Sequence, residues 1–172
     1  SYFDTYFNYT LNYDLRYQRY QTTEGTQTIF RQELPFVAEN SEIINSFEIT
    51  RYQPLVSDMI GKISFYSKAA NSLTDDDVRI SKRLYAPYTK LRGFEKGKVG
   101  PKDNESYIGG NYVSTLNLST TLPQILPSLQ NTDFSFFIDM GNVWGVDYDS
   151  SIDDRSALRA SSGLAIDLLT PI

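Results

Sequence analysis

The sequence contains no cysteine and no histidine among its 172 residues. Without cysteine there is neither a disulfide framework nor thiol chemistry. Without histidine the chain lacks the usual general base and the commonest metal ligand. No segment approaches the roughly 20 consecutive apolar residues of a membrane-spanning helix. These absences argue against transmembrane helices and against most nucleophilic and metal chemistry.

Tyrosine and phenylalanine, by contrast, are abundant, with 13 Tyr and 10 Phe against a single Trp and two Met. Tyrosine suits strands and the headgroup level of a bilayer. The mean hydropathy of −0.38 is compatible with a membrane barrel, because each strand shows only every second residue to lipid. The net charge of −5 disfavours nucleic acid as a partner.

Strict alternation of apolar and polar residues marks the first segment of the chain. One face reads as mostly apolar: Phe3, Thr5, Phe7, Tyr9, Leu11, Tyr13, Leu15 and Tyr17. Alternation over these positions predicts a β-strand of roughly 50 Å at about 3.3 Å per residue. A membrane strand needs only about 9–11 residues, so the excess is expected to project beyond the bilayer.

Further alternating segments follow around residues 27–34, 46–50, 59–68, 112–119, 134–140 and 158–168. Neighbours joined by alternately short and longer links are typical of an up-and-down meander. The polar faces would meet outside water in a soluble sandwich and line a wet lumen in a barrel. Strand length favours the barrel. We therefore predict an all-β fold: an antiparallel up-and-down transmembrane β-barrel, here a fragment of about seven strands.

The alternation fades from about residue 71 to residue 110, a stretch rich in glycine that contains Leu91-Arg92-Gly93-Phe94. A loop this long inside a compact fold is usually functional or disordered. Downstream, Asp139 lies in an otherwise apolar strand on the same inward face as Phe137. An inward carboxylate is costly unless a cation pairs with it. We therefore expect Arg92 and Asp139 to meet inside the barrel.

The sequence offers little for catalysis. It has no G-x-S-x-G motif and no phosphate-cradling glycine loop. The run Asp75-Asp76-Asp77 lacks the spaced ligands and glycine of a calcium loop, and is expected to be a solvated loop tip. We predict that the protein is not an enzyme, with no catalytic residue, no metal and no cofactor.

An ordered set of motifs resembles the C-terminal barrel of the BamA family of outer-membrane protein assembly factors, within the BamA/TamA-type surface antigen superfamily. The set consists of the segments 91–94, 99–102, 108–111, 136–144 and 159–163, followed by Thr170-Pro171. Order and spacing both agree, and the resemblance is strong from Leu91 onward. On this basis residues 1–172 form part of a C-terminal barrel domain, without the N-terminal periplasmic domains and the last strands.

The resemblance implies that the loop at about 71–110 folds back into the lumen. Arg92 would then pair with Asp139 while Phe137 offers its ring to the guanidinium, and Gly109, Gly110 and Asn111 would form the loop-end motif. Two departures stand out. Ala86-Pro87-Tyr88 replaces a Gly-Gly pair that relatives often carry, and Asn117 replaces an inward Glu.

The implied function is the barrel of an insertase that folds and inserts β-barrel proteins into the outer membrane without nucleotide. The implied partners are nascent outer-membrane β-barrel proteins, accessory assembly lipoproteins and outer-membrane lipid. The implied location is the outer membrane of a Gram-negative-type bacterium. A translocation or secretion barrel of the same superfamily, a passive outer-membrane channel and a soluble Tyr-rich β-sandwich that binds ligands are the alternatives.

Overall fold

The computed structural model describes residues 4–19, 21–37, 41–74, 76–122, 132–146 and 157–168. A single 3-10 turn at Ile80–Lys82 is the helical element of these ranges, and no helix in them is long and apolar enough to cross a membrane. The strands are β1 (Thr5–Asp14), β2 (Gly25–Val37), β3 (Glu42–Pro54), β4 (Ile60–Ser72), β5 (Lys102–Asp103), β6 (Ser106–Tyr107), β7 (Tyr112–Thr121), β8 (Thr132–Trp144) and β9 (Arg159–Leu168).

Seven of these strands form one sheet in the order β1-β2-β3-β4-β7-β8-β9. Every neighbouring pair in the sheet is antiparallel. Strands β5 and β6 pair with each other inside the long connection between β4 and β7. This arrangement confirms the predicted meander of about seven strands.

The two faces of the sheet differ in character. One carries exposed apolar side chains such as Phe7, Leu11 and Leu164, which are 59%, 62% and 71% exposed. The other carries polar groups including Thr50 and Ser64, whose hydroxyl oxygens lie 2.9 Å apart. Since side chains alternate across a strand, the apolar face is the one that suits lipid and the polar face points inward.

The first strand is shorter than its alternation predicted. It ends at Asp14, and beyond it the hairpin continues only as isolated backbone hydrogen bonds, with Leu15 N–H donating to the Thr26 carbonyl at 2.8 Å. The Asp14 carboxylate accepts hydrogen bonds from both the backbone N–H and the guanidinium of Arg16. Such local side-chain bonds offer the backbone an alternative to the ladder. Phe3 lies outside the described residues.

The inner face is not polar along its whole length. At the end of the sheet where β4 leads into β7, five inward residues are buried: Ile44, Tyr66, Ala70, Val113 and Val143. They pack against apolar residues of the connection itself, among them Leu84, Leu91 and Val99. The alternation had predicted a wet lumen here. A small apolar core forms instead because the connection folds back over the sheet and excludes water from it.

The assignment of faces predicts opposite responses at two neighbouring positions of β9. An arginine at outward Leu164 would meet lipid, at a cost of about 2–4 kcal/mol near the bilayer midplane. An arginine at Ala165, on the inner face, should cost much less. Urea unfolding of the full-length protein in lipid vesicles measures both, and equal destabilisation by Leu164→Arg and Ala165→Arg would contradict the assignment.

Candidate functional site

The connection between β4 and β7 runs from residue 73 to residue 111 and lies against the inner face of the sheet. It is closed at its base by a two-way backbone bridge, because the N–H groups of Leu84 and Gly110 each donate to the other's carbonyl at 2.7 and 2.9 Å. Near its middle, Leu91 is only 2% exposed. We call residues 73–111 the inner loop.

Arg92 of the inner loop binds Asp139 of β8 through three hydrogen bonds. The guanidinium Nε and Nη2 atoms donate to the two carboxylate oxygens at 2.7 and 2.8 Å, and the backbone N–H of Arg92 donates at 3.0 Å. The Asp139 side chain is fully buried, whereas that of Arg92 is 33% exposed. This fork-to-fork geometry is the strongest form of a charged hydrogen bond, and it neutralises a carboxylate that water does not reach.

Phe137, two residues before Asp139, supports the same guanidinium from below. The Arg92 carbon Cζ lies 3.6 Å from the centre of the Phe137 ring, a contact that contributes about 0.5–2 kcal/mol. The ring fits because Gly163 faces it from β9, where a Cβ atom would approach the ring to 2.9 Å. Gly163 was not among the predicted site residues, although its inward position opposite Phe137 follows from the pairing of β8 with β9.

Gly93 and Ser161 complete the turn that carries Arg92. Gly93 has φ +84°, a conformation that side chains disfavour, and a Cβ there would lie 3.2 Å from the Ser161 Cβ. The Ser161 hydroxyl of β9 donates to the Arg92 carbonyl. Phe94, the last residue of the predicted motif, packs half-buried against the apolar core.

Asn117 occupies the place beside Asp139 on β7 and braces two groups at once. Its amide nitrogen donates to an Asp139 oxygen at 2.9 Å and to the Lys90 carbonyl at 2.6 Å. It therefore contacts the inner loop through the backbone of Lys90 and not through the Arg92 guanidinium. A neutral donor is well suited here, since it adds a hydrogen bond to the carboxylate without adding a second negative charge.

The predicted loop-end residues lie where the inner loop returns to the sheet. Asn111 donates its backbone N–H to the Gly145 carbonyl and accepts one from Ala70, both at 2.8 Å. Gly110 passes so close to β8 that a Cβ would stand 2.4 Å from the Trp144 carbonyl oxygen. Asn111 thus joins β4 to the residue that follows β8, and Gly110 pairs with Leu84. These contacts are separate from the Arg92 cluster.

Sequence reasoning missed three further cations of the inner loop that bind acids of the seven-stranded sheet, which we call the wall. Arg79 binds Glu42, Lys82 binds Glu33, and Lys90 binds Glu48. The hydrogen bonds that Arg79 donates to the Glu42 carboxylate, and then to that of Asp4, raise the pKa of its guanidinium above the ordinary value. The sequence did carry a signal for these pairs, because the loop is rich in basic residues and the inner faces of β2 and β3 carry acidic ones.

The contacts at this site attach the inner loop to the sheet. Arg92 and Asp139 already bind each other, so neither is presented to a substrate. Among the residues that the structure describes, which do not include Asp75, no group of three or more acidic residues is placed to hold a metal ion. The arrangement holds a loop to a wall at defined points.

Comparisons with known proteins identify the family of the chain. The family model described as the Omp85 superfamily domain matches residues 1–172. The outer membrane protein assembly factor BamA of Neorickettsia risticii (strain Illinois) is 28% identical over 116 residues, which cover 64% of this chain and 15% of that protein. The chain thus spans only a small part of this curated relative.

The fold has a close counterpart among solved structures. The crystal structure of BamA from Haemophilus ducreyi lacking POTRA domains 1–3 matches with a TM-score of 0.81 at 24% sequence identity. The match covers 96% of this chain and 36% of that one. At this identity the likeness concerns the fold, and the seven-stranded sheet corresponds to a part of that structure.

Removing the Arg92 side chain should destabilise the protein more than removing a neighbouring cation. Arg92→Ala leaves the Asp139 carboxylate buried without its cation, which costs on the order of 3 kcal/mol. Lys96 is exposed, and Lys96→Ala should be nearly neutral. Heat-dependent gel mobility of the full-length protein measures both variants, and equal shifts would count against a special role for Arg92.

A reciprocal exchange tests whether the two side chains act as a pair. Arg92→Asp combined with Asp139→Arg restores opposite charges across the contact, so the double variant should regain part of the stability lost in either single variant. The same gel assay compares the unfolding temperatures of the four proteins of the cycle, and a departure from additivity shows that the two side chains are coupled. Strictly additive losses would show that the contact carries no coupling.

Proposed function

The chain belongs to the Omp85 superfamily, and from this we propose that it forms part of the C-terminal transmembrane barrel of a bacterial outer-membrane protein assembly factor. The proposal places the protein in the outer membrane of a Gram-negative-type bacterium. Periplasmic domains ahead of the barrel, and the barrel strands beyond this sheet, belong to the same proposal.

The observation that carries the proposal is the Arg92–Asp139 attachment inside a sheet whose whole length matches the family model. The name of the curated relative, an outer membrane protein assembly factor, supports assembly over secretion. The inner loop argues against a passive channel, because it fills one end of the inner face with packed apolar residues and not with water.

In the proposed activity the barrel folds other β-barrel proteins into the bilayer without nucleotide. The driving force is backbone hydrogen bonding, since a client strand that pairs with an open sheet edge satisfies its polar groups before it meets lipid. Nascent outer-membrane β-barrel proteins are the proposed clients, accessory lipoproteins are the proposed partners, and outer-membrane lipid is the solvent.

The inner loop has a mechanical part in this proposal and no enzymatic one. Its contacts reach the wall on several strands, so it stiffens the wall on the side where they lie. If the curvature of the wall is held constant, the barrel can open only by separating strands at its edges, where client strands pair. No covalent step is assigned to any residue.

The proposal is tested by reconstituting the full-length protein in phospholipid vesicles and adding a urea-unfolded β-barrel protein as client. The folding of the client is measured by its resistance to protease. Folding should be faster than in protein-free vesicles and should need no nucleotide. Arg92→Ala should reduce the acceleration, and Lys96→Ala should not. Client folding at the rate of empty vesicles would overturn the proposed assembly function.

A further inference from the structure

A second arginine of the inner loop, Arg79, binds the wall with the same geometry as Arg92. Its Nε and Nη2 atoms donate to the two oxygens of Glu42 at 2.8 and 3.0 Å, and its backbone N–H donates to the same carboxylate at 3.3 Å. Glu42 begins β3, and its side chain is fully buried. As at Asp139, a carboxylate out of reach of water is neutralised by a guanidinium fork and a backbone amide.

The Arg79 cluster also reaches the first strand of the sheet. Nη1 of Arg79 donates to the Asp4 carboxylate at 2.6 Å, and Nη2 donates to the Tyr6 hydroxyl at 2.6 Å. That hydroxyl donates in turn to Glu42 at 3.2 Å. Arg79 therefore ties the inner loop to β3, to β1 and to the residue that precedes β1.

Lys82, one turn further along, adds strand β2 to the same attachment. Its ammonium group binds Glu33 and lies 3.8 Å from the centre of the Tyr6 ring. A cation over an aromatic face is attracted by the ring quadrupole. The first three strands of the sheet thus converge on one short stretch of the loop, residues 79–82.

We propose that Arg79 is a second, independent anchor of the inner loop, meaning a point at which a buried carboxylate of the sheet binds a loop arginine. Together with Arg92, it makes the loop a link across the inner face from β1 to β9. The two anchors share no residue, and they hold opposite sides of the sheet. Between them, Lys90 binds Glu48 of β3, and its ammonium group lies 4.9 Å from the Tyr66 ring of β4. The loop therefore contacts every one of the seven strands.

Two anchors allow the loop to resist a change in the curvature of the sheet. With Arg92 and Lys90 alone, the charged contacts of the loop would reach β3 and β8 but neither β1 nor β2. With both anchors, a change of curvature between β1–β3 and β7–β9 must break one of two buried ion pairs. Breaking such a pair exposes a buried carboxylate without its cation, which is strongly unfavourable.

The test is hydrogen exchange of the full-length protein in lipid vesicles, read at backbone amides of each anchor. Lys82 and Arg83 donate to the Arg79 and Ile80 carbonyls within the Arg79 anchor, whereas Arg92 and Lys98 report on the Arg92 anchor. Arg79→Ala should raise exchange at Lys82 and Arg83 by roughly tenfold or more, since charged hydrogen bonds hold this segment closed. Exchange at Arg92 and Lys98 should change by less than about twofold.

Arg92→Ala should give the reverse pattern, and Arg19→Ala is the matched control because the Arg19 side chain is 85% exposed and lies outside the loop. If Arg92→Ala frees both segments by the same factor, or if Arg79→Ala frees neither, the second anchor does not exist. The readout is loop protection and not client folding, so a negative result here is distinct from failure of the proposed assembly function.

A second pair of variants covers the case in which Arg79→Ala does not fold. Arg79→Lys keeps the charge but loses the fork, and should raise exchange at Lys82 by a smaller factor in a folded protein. Adding Glu42→Gln to Arg79→Ala removes the uncompensated charge, so the double variant should fold better than Arg79→Ala and exchange more slowly. An Arg79→Lys protein with unchanged exchange, or a double variant as impaired as the sum of the two single variants, would refute the anchor.

Discussion

A carboxylate that is closed off from water has to be met by a cation, and in this sheet that constraint sets where the long connection must go. Asp139 is fully buried on the inner face of β8, so its charge is tolerable only with the Arg92 fork, the Arg92 amide and the Asn117 amide around it. Each of these donors is delivered by the fold. The connection must therefore turn inward until Arg92 reaches Asp139. The apolar core between the connection and the sheet forms as a consequence of that position.

The ion pairs between the loop and the wall position the loop on the sheet more than they stabilise the folded protein. Taking two charges out of water nearly offsets their mutual attraction, whereas separating them once buried is costly. Such contacts therefore favour one placement of the loop strongly over its neighbours without adding much to the net free energy of unfolding. Arg79, Lys82, Lys90 and Arg92 each meet an acid of the wall, and together they place the loop across the whole sheet.

Much of the fold was accessible to sequence reasoning because strand periodicity is local. The faces of β8 and β9 follow from alternation, and alternation puts Asp139 and Phe137 on the inner side, where a cation was expected to meet them. The extent of β1 was wrong, since Asp14 and Arg16 bind each other and bend the chain, an effect that periodicity does not register. Glu42 was missed for a related reason: it stands at the very start of its strand, outside the clearly alternating stretch, and its partner is 37 residues away.

An all-β fold, a sheet of about seven strands, the face on which the alternating residues lie and the meeting of Arg92 with Asp139 could all be predicted from the sequence. These depend on a period of two and on the cost of an inward charge, and both are properties of short segments. The folded structure was needed for the acids that Lys82 and Lys90 bind, for the hydrogen bond from Asn117 to the Lys90 carbonyl, and for the second guanidinium fork, that of Arg79 on Glu42. Those outcomes depend on the path of a long loop through space, which is set by the joint packing of residues far apart in the chain.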